Sequence, residues 1–178
     1  MTNAIMSQAK TGSHGSPGFL QFGYVTNDLD RAVEYFRRTF GVQNFFVMRN
    51  VDIHTDEEDG SHKTVKVDIG FAWWGETMIE IIKPEAGSQT IYSCAIDPDN
   101  YSLKLHHMGV GLAGPVSVFD KKADEMRAAG YRLEMLAINA NGHYVYVDTR
   151  RDSGHHTELL WFSEAGVAFL GKIPHNPA

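Results

Sequence analysis

The chain has 178 residues, 43% of them apolar and 21% charged, which is enough for one ordinary domain with its own core. A formal net charge of −6, with no basic run or stripe, argues against nucleic acid as a partner. No apolar run is long enough to span a membrane as a helix, and the lone Cys94 permits no internal disulfide, which fits a cytoplasmic setting.

Residues 1–17 are polar and rich in Gly and Ser, without the apolar core of a signal peptide, and read as a flexible N-terminal arm. Leu20, Phe22, Tyr24 and Val25 then predict a strand. Asn27 or Asp28 can cap a helix in which Leu29, Ala32, Val33, Phe36 and Phe40 recur at helical spacing, and Gly41 suits its C-terminal stop. Phe45 to Ile53 reads as a strand, and Thr55 to Lys63 as a charged segment around an Asp59-Gly60 turn. Thr64 to Trp73 and Thr77 to Ile82 are two further strands meeting at Gly75, and Pro84 ends the unit. Residues 85–103, with Gly87, Ser88 and Asp97-Pro98-Asp99, read as a connector.

A second unit follows with the same order. Lys104 to about Leu112 is a strand, and Gly114-Pro115 opens a helix with Pro at its first position. Val118, Phe119, Ala123, Met126 and Ala129 form its stripe, and Gly130 ends it. Strands are expected over Tyr131 to Ile138, His143 to Asp148 and His156 to Phe162, with a turn at Asn141-Gly142. The tail, 163–178, holds room for a short helix around Val167 to Leu170. The pattern is βαβββ, connector, βαβββ, an α+β class. Each copy closes on an apolar strand carrying one glutamate: Met78-Ile79-Glu80-Ile81-Ile82 and Thr157-Glu158-Leu159-Leu160.

The run Gln21-Phe22-Gly23-Tyr24-Val25-Thr26-Asn27-Asp28-Leu29-Asp30-Arg31-Ala32 resembles the opening motif of the vicinal oxygen chelate superfamily. That family includes glyoxalase I, methylmalonyl-CoA epimerase, extradiol dioxygenases and bleomycin-resistance proteins. Gln21 stands at its first ligand position, seven residues before Asp28. Leu105-His106-His107-Met108-Gly109 resembles the second opening, with His107 in the ligand place, and Glu80 and Glu158 fall on the ligand positions of the two closing strands. The resemblance covers roughly residues 18–162 and implies one domain, with modules at 18–84 and 104–162, forming a cupped, barrel-like mixed sheet with helices outside. It also implies a homodimer.

Gln21, Glu80, His107 and Glu158 together offer one imidazole nitrogen and three oxygen donors. Such a set suits a six-coordinate divalent ion (Zn, Ni, Co, Mn or Fe) with positions left for water or substrate. It contains no thiolate, unlike many closed structural zinc sites. A single glutamate in an apolar strand is ordinarily just a half-exposed charge; two at matching places, with the Gln and His openings, point to a metal. Strand alternation puts only one of His106 and His107 on the inner face, taken here as His107, and puts His156 on the face of Glu158. His156 is therefore either an acid–base or supporting group, or an ordinary strand histidine. Trp73, Trp74, Tyr144 and Tyr146 are candidates to line a substrate pocket, with core packing as the competing role. Arg150 is a candidate partner for a substrate anion, with a solvated turn as its alternative.

The implied chemistry is movement of a proton next to a metal-chelated carbonyl/hydroxyl pair of a small organic substrate, with Glu158 or Glu80 as base: a glyoxalase-like lyase or an isomerase/epimerase. Glutathione-using glyoxalase I usually carries Arg four residues after its first ligand; Val25 stands there, which argues against glutathione. The epimerases usually carry Gln where this chain has Glu80. An extradiol dioxygenase of an aromatic compound is disfavoured because Gln21 replaces its first histidine. A non-catalytic antibiotic-binding protein is the remaining alternative, supported by the aromatic segment and opposed by retention of all four ligand positions.

Overall fold

The computed structural model describes residues 18–178; the arm expected over 1–17 lies outside the described residues. Strand β1 (Gly18–Thr26) leads into helix α1 (Leu29–Phe40). Asp28, in extended backbone, accepts the Arg31 N–H at the helix start. Gly41 takes φ 72° at the end and returns its N–H to the Phe36 carbonyl. Strands β2 (Phe46–Asp56), β3 (His62–Trp74) and β4 (Thr77–Pro84) complete the first βαβββ. The second consists of β5 (Leu103–Gly111), α2 (Ser117–Ala128), β6 (Leu133–Asn139), β7 (Gly142–Val147), the short α3 (Arg150–Ser153) and β8 (His156–Phe162). Helix α4 (Glu164–Leu170) and a two-residue strand β9 (His175–Asn176) follow. The α+β class expected from the repeat is the one found.

By packing, the chain divides into two units, one holding 21–54, 64–107 and 173–178, the other 18–20, 55–63 and 108–172. In the first, β4 is the central strand. It runs parallel to β1, with Gln21 opposite Met78 and Gly23 opposite Glu80, and antiparallel to β3, with Phe71 opposite Glu80. β9 lies parallel to β3, Trp73 opposite His175. Alternation then sorts the side chains. Ile79 and Ile81 face α1 and share a core with Leu29, Ala32, Val33, Phe36, Val42 and Ala72, against which Phe22 and Tyr24 pack. Gln21, Gly23, Met78 and Glu80 therefore lie on the opposite face.

In the second unit β6, β7 and β8 form an antiparallel meander, with Val145 opposite Leu159 and Tyr146 opposite Glu158. Phe119 and Ala123 of α2 close a core with Leu112, Leu133, Val145, Val147 and Leu159. A register shift between Glu134 and Ala137 accompanies a left-handed Met135 at φ 53°. Gly142 is needed for close approach: a Cβ there would lie 2.0 Å from the Trp161 carbonyl oxygen.

Several boundaries differ from the sequence reading. The charged stretch Thr55–Lys63 is strand at both its ends, because β2 continues to Asp56 and β3 begins at His62, leaving a turn over 57–61 closed by Glu57 N–H to Ser61 O and Gly60 N–H to Glu57 O. Polar cross-strand pairs such as His62 with Asp56 suit the exposed face there. Pro115 is not the first residue of α2. It sits in a tight turn whose carbonyl accepts from Val118, with Phe119 N–H on Val116 O, so the chain winds through i→i+3 bonds before α2. Arg150 belongs to the short helix α3, stopped by Gly154 at φ 81°, and not to an open turn.

Candidate metal centre

Three of the expected ligands converge within the first unit. Gln21 comes from β1, Glu80 from β4 and His107 from β5, and their exposures are 2%, 8% and 0%. The Gln21 amide donates to Glu80 Oε2 at 3.1 Å and lies 3.2 Å from His107 Nε2. His107 Nε2 is 3.0 Å from the same Glu80 oxygen. The amide serves either way: its N–H donates to a carboxylate, and turned through 180° its Oε1 presents a lone pair.

The sequence folds this way for two local reasons. Parallel pairing of β1 with β4 sets Gln21 beside Met78 and Gly23 beside Glu80, so Gln21 and Glu80 share a face one step apart. Gly23 then leaves the space in which the His107 imidazole lies: a Cβ on Gly23 would meet His107 Cε1 at 1.8 Å and Nε2 at 1.9 Å. The glycine is a cradle for the ring, and sequence reasoning passed over it. The spacing alone puts Gly23 on the strand face of Gln21, two residues on, but does not say which side chain fills the space it leaves.

Sequence reasoning also set His106 aside as facing away. Both neighbouring histidines are buried, and their Nδ1 atoms are 3.0 Å apart, with the rings nearly perpendicular at 84°. His106 Nε2 lies 3.2 Å from the Ile91 carbonyl, and the Tyr92 ring packs on His106 at 5.3 Å.

The remaining candidates are placed as follows. Glu158, in the second unit, is buried on β8 opposite Tyr146. His156, on the same face two residues earlier, lies with Nε2 3.1 Å from Glu134 Oε2, and its ring is 6.2 Å from that of Tyr146. That hydrogen bond from His156, joined by the charge of Arg132 and opposed by burial, holds the Glu134 carboxyl below its ordinary value. Tyr146 is buried and Tyr144 half-buried, opposite Leu160. In the first unit Trp73 is buried and stacked on His175 at 5.6 Å and 8°, and Trp74 packs on Phe40 at 5.2 Å beside the α1 core.

Arg150 forks onto Asp148, with Nε and Nη2 each 2.7 Å from a carboxylate oxygen. This hydrogen bonding, opposed by burial, pushes the Asp148 carboxyl down to about 2 from 3.8. A carboxyl lowered on folding stabilises the folded state above its unfolded value and loses that contribution as pH falls through the folded one. Asp148→Asn is therefore expected to flatten the loss of stability between about pH 4 and 2, with little change near neutrality in its pH dependence. Denaturant melts across that range check it; an unchanged acid limb would contradict the ion pair.

The fit of a divalent ion rests on the donor set itself. A neutral-capable imidazole, a carboxylate and an amide oxygen from three strands converge in a buried place, and the Gly23 cradle holds the imidazole among them.

No curated protein matches this chain in sequence. Solved structures do match in fold. Methylmalonyl-CoA epimerase from Mycobacterium tuberculosis is 17% identical, with 85% of this chain and 91% of that one covered and a TM-score of 0.54. A hypothetical protein from Bacillus halodurans is 14% identical over 84% and 96%, with a TM-score of 0.56. A Streptomyces coelicolor methylmalonyl-CoA epimerase variant, in complex with 2-nitronate-propionyl-CoA, is 18% identical over 82% and 94%, with a TM-score of 0.55. At this identity the likeness is one of fold. Residues 20–147, well over half of the chain, match a sequence family directly, and the chain belongs to the Glyoxalase/Bleomycin resistance protein/Dioxygenase superfamily.

Proposed function

We propose that this chain is a metal-dependent proton-transfer enzyme, of isomerase or epimerase type, with a glyoxalase-like lyase as the closest variant of the same chemistry. The convergence of Gln21, Glu80 and His107 within 3.2 Å of one another carries the reading. Glu158, assigned by the repeat and contributed by the same chain or a second copy, is the fourth protein ligand. The ion would be Zn, Ni, Co, Mn or Fe. When bound, it supplies positive charge against the negative charge that develops on a substrate oxygen as the neighbouring carbon loses its proton.

The chain's own groups do the rest. In an epimerase, one of Glu158 and Glu80 takes the carbon-bound proton from one face and the other delivers a proton to the opposite face of the same carbon; in an isomerase, the base that took the proton returns it to the adjacent carbon. His156, hydrogen-bonded to Glu134, supports the carboxylate that shares its strand face. Tyr144, Tyr146, Trp73, Trp74 and Arg150 remain the proposed substrate-side residues. Val25, fully buried on β1, stands where a glutathione-binding arginine would be, which argues against a glutathione adduct as the substrate. Among the structures sharing the fold is a methylmalonyl-CoA epimerase in complex with methylmalonyl-CoA and NH4+. A branched acyl thioester is accordingly the first substrate to try. A homodimer is the expected assembly. Among the described residues no helix is long and apolar enough to cross a membrane.

The test is elemental analysis of purified protein, followed by NMR detection of hydrogen exchange next to the carbonyl of methylmalonyl-CoA in heavy water. About one divalent ion per chain is expected. Glu158→Gln should lower any exchange or turnover by about 100-fold or more, the range for removing a positioned acid–base group. Protein that neither copurifies with a divalent ion nor takes one up on reconstitution would sink the proposal.

A further inference from the structure

We infer that His106 is a positioning residue: it fixes the proton of His107 on Nδ1 and so leaves Nε2 of His107 as the ring atom turned to the other ligands. The usefulness of this arrangement rests on the metal reading proposed above, while the arrangement itself rests on two hydrogen-bond distances, from His106 to the Ile91 carbonyl and to His107.

The chain of reasoning begins at Ile91. A backbone carbonyl can only accept, so at 3.2 Å from His106 Nε2 it requires a proton on that nitrogen. A neutral imidazole protonated on Nε2 carries a lone pair on Nδ1. His106 Nδ1 is 3.0 Å from His107 Nδ1, so the second atom must donate to the first. His107 is then protonated on Nδ1. Its Nε2 faces Glu80 Oε2 at 3.0 Å and the Gln21 amide at 3.2 Å; a ring nitrogen and a carboxylate oxygen that close need a positive centre between them, a shared proton in the metal-free chain and a cation in its place.

Alternation along β5 does not forbid this contact. Nδ1 is the ring nitrogen nearest the backbone, and two successive imidazoles can meet at that edge while their far edges point apart. The rings meet nearly at right angles, with centroids 5.3 Å apart. The connector supplies the anchor. Thr90 and Ser93 bond to each other reciprocally, Thr90 N–H to Ser93 Oγ at 2.9 Å and Ser93 N–H to Thr90 Oγ1 at 3.3 Å. This turn sets the Ile91 carbonyl, and Tyr92 covers the His106 ring. A segment that looks in the sequence like a plain linker thus orders a ligand through His106. Outer groups of this kind typically alter metal affinity by about 10–100-fold when removed.

Two readouts test the inference on the full chain. Nitrogen-15 NMR of the imidazoles in metal-free protein is expected to find His106 protonated on Nε2 and bare on Nδ1, and His107 protonated on Nδ1. Zinc titration is expected to give affinity about 10–100-fold weaker for His106→Phe, which keeps a ring but neither nitrogen, with most of the loss recovered by His106→Asn, whose amide oxygen can replace the Nδ1 acceptor. A proton on His106 Nδ1, or His106→Phe binding zinc as tightly as the unsubstituted protein, overturns the inference. Should His106→Phe fail to fold by circular dichroism, the NMR assignment and His106→Asn decide. If no form of the protein binds zinc or another divalent ion, the metal reading fails, and the NMR result still decides the proton arrangement on its own.

Discussion

Gly23→Ala is expected to remove divalent-ion binding altogether, although it adds a single methyl group. Gly23 has ordinary strand backbone, so no conformational strain is at issue. The clash is purely spatial. The added Cβ would stand 1.8 Å from His107 Cε1, 1.9 Å from Nε2 and 2.4 Å from Nδ1, inside the ring rather than against it. The imidazole must leave, and with it the three-way contact to Gln21 and Glu80. The ring is completely buried and its Nδ1 is engaged by His106, so it has no low-energy place to go. Overpacking of this kind costs about 1–3 kcal/mol of stability. Gly70→Ala is the control: its Cβ would meet Leu29 at 3.5 Å, an ordinary contact. Isothermal titration with zinc and thermal melts of both variants distinguish the cases. Retained zinc binding in folded Gly23→Ala would refute the cradle.

Glu80 gives the second large effect, and here stability and binding are expected to move apart. A buried carboxylate is costly to desolvate, and Glu80 offsets that cost only in part through Gln21 and His107. Glu80→Gln keeps the shape and an oxygen but removes the charge. Metal-free Glu80→Gln should be as stable as the parent within about 1 kcal/mol, or more stable, because the buried charge is gone. Its divalent-ion affinity should fall by about tenfold or more, and that of Glu80→Ala, which loses the ligand atom, by about 100-fold or more. Melting curves without metal and titrations with it provide both numbers. A large loss of stability in metal-free Glu80→Gln would mean that the carboxylate is structural.

The elements legible in the sequence were those set by local spacing. The α1 stripe, its cap and the Gly41 stop involve residues within a turn or two of one another: of Asn27 and Asp28 the structure uses Asp28 as the cap, and it buries Leu29, Ala32, Val33 and Phe36 while leaving Phe40 exposed. The embedded glutamate of β4 was legible because a charge amid four apolar neighbours violates the pattern around it. What was not legible depended on pairing between distant segments. Nothing near Gly23 announces that a ring 84 residues away needs its space. The alternation rule separated His106 from His107 because it describes Cβ directions, whereas the contact is made by ring edges. The β2–β3 hairpin proved longer than its apolar content suggested, because polar side chains pair across it on an exposed face. Trp73 owes its stacking partner to His175 in the tail, which no local pattern could have supplied.

One consequence of the strand order in the first unit concerns time rather than geometry. β4 is hydrogen-bonded to β1 on one side and to β3 on the other, and its two faces are both covered. Amides in such a strand open to solvent only when the whole unit does. Glu80 therefore rides on the slowest-opening segment of its unit. Local fraying cannot carry it away from Gln21, whose strand is zipped to the same ladder. For the two ligands on this ladder, release of an ion would go by side-chain rotation, so that their part in the lifetime of the complex and the lifetime of the unit are set by separate barriers.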